Sequence, residues 1–137
     1  MILINPPLTD LAAVRHLLPI TLSSFGLKSG QPFPPADLYI DCRGVADPSQ
    51  SGLSGSGDSV HIQQWVSEHT NTSPYYDMVV GGLLRLTTRR GRGQEYDKPF
   101  HIVCMCAWGI HRSRAMKYIL ARLLREVGCR RVKVIIP

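Results

Sequence analysis

No long apolar run occurs in this chain of 137 residues, and none approaches the roughly 20 residues that a membrane-spanning helix needs. The apolar start Met1-Ile2-Leu3-Ile4 breaks at once into Asn5-Pro6-Pro7, which is not a secretory signal pattern. Cysteine is scarce. Cys42, Cys104, Cys106 and Cys129 are not spaced as a disulfide framework, so a reduced, cytoplasmic setting is expected. Cys104 and Cys106 stand two apart and no Cys-x2-Cys pair exists, which argues against a closed zinc site even with His101 and His111 nearby. No Gly-x4-Gly-Lys-Ser/Thr nucleotide loop is present, and no cofactor is expected. Aromatic residues make up only 7% of the chain. Base stacking is therefore a poor explanation for any nucleic-acid binding.

Acidic residues are also few in the second part of the chain. Residues 1–84 carry three Lys/Arg against seven Asp/Glu, while residues 85–137 carry thirteen against three, a split of −4 and +10. A basic segment of this kind attracts phosphate-rich partners, RNA included, although a solvated helix face with a basic loop explains it equally well. Arg89, Arg90 and Arg92 are the candidate nucleic-acid contacts. Arg114, Lys117, Arg122 and Arg125 are assigned to the polar side of a helix, where charge is ordinary.

What is present fits one domain. Hydrophobic content of 44% and charged content of 19% suit a globular chain with a single core. Residues 1–19 form an N-terminal extension in which Thr9-Asp10 starts a helix, with Leu11, Val14, Leu17 and Leu18 at helical spacing and Pro19 as its stop. Strands are expected at 20–25, 38–42, 100–105 and 131–136. Helices are expected at 60–69, 74–86 and 113–127. Residues 26–36 and 87–98 read as loops, and the Gly/Ser-rich stretch 44–59 as a mobile one. Alternating strands and helices imply an α/β fold: a mainly parallel sheet with helices on its faces. In such sheets ligands sit beyond the carboxyl ends of the strands. Asp41 and Cys106 both fall at such ends, with Arg43 just after the first.

The segment that carries most chemistry is Cys106-Ala107-Trp108-Gly109-Ile110-His111-Arg112-Ser113. It joins an apolar strand to a helix start, as a phosphate-binding loop does. Backbone N–H groups converge at such a turn and the helix dipole adds positive potential. Arg112 supplies a planar fork matched to phosphate oxygens. His111 is read as a phosphate donor, as a partner orienting Arg112, or simply as a helix cap. The Cys-x5-Arg-Ser spacing is also that of cysteine-dependent phosphatases, in which Cys106 would be the nucleophilic thiolate. Such an enzyme also needs a general acid, and Asp41 and Asp97 are the available carboxylates. Cys104 reads as a small buried hydrophobe.

The same residues resemble a known family. Ser24-Phe25-Gly26-Leu27-Lys28-Ser29-Gly30-Gln31-Pro32 resembles the opening of the C-terminal domain of RapZ, the bacterial RNase adapter proteins. Ala36 through Arg43 resembles its Asp-x-Arg strand end, Asp47-Pro48 its following Asn-Pro, and Cys106 through Ser113 its Gly-Cys-x-Gly-Gly-x-His-Arg-Ser loop. The likeness runs in order from about residue 20 to the end of the chain. It implies an α/β fold and an amino-sugar phosphate or related ligand such as a nucleotide sugar. It also implies contact with RNA and a protein partner, and a homo-oligomer. Ligand contacts carry over to Gly109, His111 and Arg112, with Asp41 and Arg43 opposite. The chain departs from the family at Ala107 and Trp108, where small residues are usual, and at Ser49 and Gln50, which replace an aromatic residue and a histidine. The family's N-terminal nucleotide-binding domain has no counterpart in the sequence. The expected function is therefore a binding or sensing module for a phosphorylated small molecule. A cysteine phosphatase and an RNA-binding adapter without a metabolite are the rivals.

Overall fold

The computed structural model describes residues 18–90 and 98–136 of the chain. Four strands, β1 (Ile20–Gly26), β2 (Leu38–Asp41), β3 (Phe100–Cys106) and β4 (Val132–Val134), form one sheet in the order β2-β3-β1-β4. All three pairings are parallel. Three helices accompany it: α1 (Val60–His69), α2 (Ser73–Arg90) and α3 (Arg112–Glu126). No described helix is long and apolar enough to cross a membrane. The N-terminal helix expected around residues 9–18 lies almost wholly outside the described residues.

Sheet register explains where the core sits. In parallel strands, partner residues point to the same face, and side chains alternate along each strand. Ile20, Leu22 and Ser24 therefore share a face with Phe100, Ile102 and Cys104, and with Leu38 and Ile40. Most of these side chains are buried. Helix α3 covers this face: Ala115, Met116, Ile119, Leu120 and Leu124 recur at helical spacing and are all buried. Helix α2 joins the same layer through Val79, Leu83 and Leu86. Its Gly82 passes so close that an added Cβ would stand 3.1 Å from the Leu38 side chain. That contact accounts for a glycine that weakens the helix by about 1 kcal/mol relative to alanine.

Several boundaries follow the sequence. Gly128 takes φ +100 just past α3. Its N–H bonds the Arg125 carbonyl and the Cys129 N–H bonds that of Leu124, a Schellman termination. Helix α2 is longer than expected. It runs on through Thr87 and Thr88 to Arg90, so the loop before β3 begins later than residue 87. Within the stretch 44–59 lies a 3-10 turn, Pro48–Gln50, capped by the Asp47 carboxylate.

Candidate functional site

Loop 106–113 hangs from the end of β3, and its neighbours hold it by the backbone. The Leu27 N–H donates to the Cys106 carbonyl at 2.8 Å and the Lys28 N–H to that of Ala107 at 2.7 Å. On the other side, the Gly57 N–H donates to the Ile110 carbonyl at 2.9 Å. These approaches require glycine. Gly109 has φ +73, and a Cβ there would lie 2.6 Å from the Gly26 nitrogen. A Cβ on Gly57 would strike the Ala115 nitrogen and the His111 carbonyl oxygen.

The Cys106 side chain is the centre around which the loop turns. Its sulfur accepts the Gly109 N–H at 3.3 Å and the Ser113 N–H at 3.4 Å, and lies 3.2 Å from the Ser113 hydroxyl. Burial alone pushes this thiol up. The Ser113 hydroxyl and N–H, the Gly109 N–H and the Arg112 charge outweigh burial, and the thiol sits below its ordinary value. Two N–H groups and one hydroxyl of the loop thus converge on the Cys106 sulfur.

Above the sulfur lies a cavity of about 300 Å³ lined by Asp47, Ser49, Cys106, Trp108, Ile110, His111 and Arg112. Two apolar residues of its lining, Trp108 and Ile110, are 62% and 43% exposed. Asp47 and Ser49 are polar members of the same lining. The Asp47 carboxylate accepts the Ser49 N–H at 3.0 Å. Burial raises this carboxyl. The Ser49 hydrogen bonds and the charges of Arg112 and His111 offset burial and leave it below its ordinary value. Arg112 donates one N–H to the Arg43 carbonyl at 2.8 Å, which ties the start of α3 to the chain after β2.

Most of the expected site residues meet here, though not all line the cavity. Cys106, Trp108, Ile110, His111 and Arg112 do; Ala107 and Gly109 shape the turn, and Ser113 serves the sulfur. Asp41 and Arg43 stand beside it and pair with each other, with guanidinium–carboxylate contacts of 2.7, 3.0 and 3.1 Å. His111 occupies the N-cap position of α3, and its side chain makes no capping bond there. Arg92 and the side chains of Arg89 and Arg90 lie outside the described residues, as does Asp97. Asp47 and Ser49 were not singled out as site residues. The Asp-Pro turn was the available signal, because an aspartate before proline favours a tight turn that returns the chain to the sheet edge.

One assignment is overturned. Lys117 is not on the solvent side of α3. It is 0% exposed and turns inward, donating to the Ile135 carbonyl at 2.9 Å and to the Ser24 hydroxyl at 3.4 Å. Asp58, from the 44–59 stretch, approaches it at 3.5 Å and meets Arg114 at 3.2 Å. A lysine at a helical core position is normally excluded by its charge; here a carboxylate and two oxygen acceptors offset that cost.

A protein of Novosphingobium aromaticivorans named nucleotide-binding protein is 35% identical to this chain over 113 residues. That alignment takes in 80% of this chain and 35% of the relative, so the chain spans about a third of that protein's length. The sequence profile of the RapZ C-terminal domain matches residues 18–135, which take in every described strand and helix and the loop around Cys106. The chain belongs to the RapZ C-terminal domain family.

Proposed function

We propose that this protein is a binding module for a phosphorylated small molecule, with the phosphate seated in the cavity over loop 106–113. The observation that carries this reading is the convergence of Arg112, His111 and the amino end of α3 on one cavity of about 300 Å³. That space suits a sugar phosphate or the phosphate-bearing part of a nucleotide. The amino end of a 15-residue helix favours an anion. The name of the Novosphingobium relative supports a nucleotide-type ligand, and the family resemblance supports an amino-sugar phosphate. The exposed Trp108 ring at the mouth offers a flat surface for a base or sugar ring. Contact with RNA or a protein partner, and assembly into oligomers in the cytoplasm, come to this chain from the resemblance and the basic second part of the sequence.

The phosphatase reading has one observation in its favour: a thiol held below its ordinary value in the cavity lining. Among the described residues it lacks a carboxylic acid poised to donate a proton. Asp47 is the cavity's carboxylate, and its surroundings favour the ionised form, the wrong state for protonating a leaving oxygen. Asp41 is held low mainly by its hydrogen bonds to Arg43.

Calorimetric titration with sugar phosphates, nucleotides and inorganic phosphate tests the proposal. Arg112→Lys should weaken binding about tenfold, because a point charge cannot replace the fork. Unchanged affinity in that variant, or no binding of any phosphorylated probe, overturns the reading. Steady hydrolysis of p-nitrophenyl phosphate abolished by Cys106→Ser would promote the phosphatase in its place.

A further inference from the structure

Three of the four cysteines gather at one corner of the sheet. Ile40 pairs with Cys104 and Asp41 with Met105. The ladder then continues one step beyond the strand: the Cys42 N–H donates to the Met105 carbonyl at 2.6 Å. That bond keeps the parallel register, in which Cys42 follows Asp41 as Cys106 follows Met105; the Cys42 side chain meets that of Cys104, and the charge of Cys106 acts on it as well. Adjacent strands lie about 4.8 Å apart, inside the Cα separation of roughly 4.4–6.8 Å that a disulfide accepts. All three are free thiols. They differ in access: Cys106 lines the cavity, whereas Cys42 is fully buried and does not.

We infer that Cys106 is a peroxide-sensitive thiol and that Cys42 is its resolving partner, so that a hydroperoxide entering the cavity closes a Cys42–Cys106 disulfide. In the first step the Cys106 thiolate attacks the peroxide. A sulfur–oxygen bond forms, the O–O bond breaks, hydroxide (or alkoxide) leaves, and sulfur is oxidised to the sulfenic acid while the peroxide is reduced. In the second step the Cys42 sulfur displaces that hydroxyl. The S–S bond forms, and the Cys42 proton leaves with the hydroxyl as water.

The surroundings suit both steps. The N–H groups of Gly109 and Ser113 and the charge of Arg112 favour the Cys106 thiolate. Cys42 is held protonated, chiefly by its contact with Cys104 and by burial, and further by the neighbouring charge of Cys106. That last restraint disappears once Cys106 is a neutral sulfenic acid.

Disulfide formation would also pull the Cys106 sulfur away from Gly109 and Ser113, around which the loop is wound. The bond itself is independent of the anion-binding reading; its effect on binding rests on that reading. The experiment separates the two. The full chain is treated with hydrogen peroxide, alkylated and peptide-mapped by mass spectrometry, and the phosphate affinity of treated and untreated protein is measured by titration with inorganic phosphate. A Cys42–Cys106 link, lost on reduction with dithiothreitol, is expected. Cys42→Ser should trap a dimedone-reactive Cys106, and Cys104→Ser should leave the link intact. Phosphate binding should fall roughly tenfold on oxidation, as hydrogen bonds to the loop are lost, and should return on reduction. Cys106 found unlinked, or a Cys42–Cys104 link in its place, overturns the inference whatever happens to binding. A mapped link in a protein that binds phosphate in neither state supports the inference and removes the anion-binding reading alone.

Discussion

Two charged clusters flank the first two turns of α3 and obey opposite rules. One is the Asp41–Arg43 pair, with three contacts of 2.7 to 3.1 Å between residues two apart, and side chains 45% and 60% exposed. The other is Asp58 with Arg114 and Lys117, at 3.2 and 3.5 Å, across 56 and 59 positions of sequence. By distance the first is the better pair. By context the second matters more. An exposed pair trades contacts with water and is screened by salt. The second contains a lysine with no exposure and joins the 44–59 segment, α3, β1 and the end of β4. Burial and connectivity, not contact length, decide which cluster fixes the fold and which is free to meet a ligand.

The largest effect should come from breaking the buried cluster. Lys117→Met keeps the side chain's length and removes its charge. It leaves the Ile135 carbonyl without its donor and Asp58 with one cation fewer. A loss of about 2 kcal/mol is expected from hydrogen bonds to a charged group, measured by urea unfolding. The double variant Lys117→Met, Asp58→Asn should recover part of this, because removing both members avoids the uncompensated carboxylate. A pH signature accompanies it. Burial holds the Lys117 ammonium below its ordinary value against the pull of Asp58, with Arg114 adding to the depression and Cys104 opposing it. Between that depressed value and the unfolded value the unfolded chain binds more protons, so stability rises with pH across that window. Lys117→Met should abolish the rise.

A smaller effect, local to the loop, should follow Ser113→Ala. The Ser113 hydroxyl is the strongest of the contacts that offset burial around the Cys106 thiol. Without it, the pH at which Cys106 reacts half-maximally with iodoacetamide should move up, and the reaction at neutral pH should slow. Lys117→Met should leave this profile in place, since the buried cluster does not touch the sulfur. A shift in the lysine variant equal to that in the serine variant would show that the two clusters act as one.

The contrast also explains what could be read from the sequence. The strand–loop–helix around Cys106 was legible because its signals are local: an apolar run, one glycine, then Arg-Ser and a helical period. Helix α1 and the four strands were legible for the same reason. The end of α2 was not, because Thr87 and Thr88 have weak helix propensity and packing of the preceding turns carries the helix past them. Lys117 was misplaced because helical spacing tells which face a residue shares, not whether a distant aspartate waits there. Asp47 and Ser49 reach the cavity through a turn whose course depends on Gly57 docking against α3, a contact between residues more than fifty positions apart.

The smallest effect on stability should come from Asp41→Asn, which makes it the sharpest test of what the exposed pair is for. Its carboxyl is held below the ordinary value chiefly by the Arg43 hydrogen bond, so any stability it contributes is present above the unfolded value and lost as pH falls through the folded one. With both side chains in water, the melting temperature at neutral pH should match that of the unaltered protein within error. The Arg112 contact should persist, because it is made to the Arg43 carbonyl and not to either side chain. Binding should then separate the ligand's parts. Inorganic phosphate should bind as before or slightly tighter, since a nearby negative charge is gone. A sugar phosphate should bind more weakly if Asp41 accepts from its hydroxyls. Equal weakening of both probes would place Asp41 in the support of Arg112. No weakening of either would leave the pair as solvated surface, and the contrast between the two clusters would then be one of burial alone.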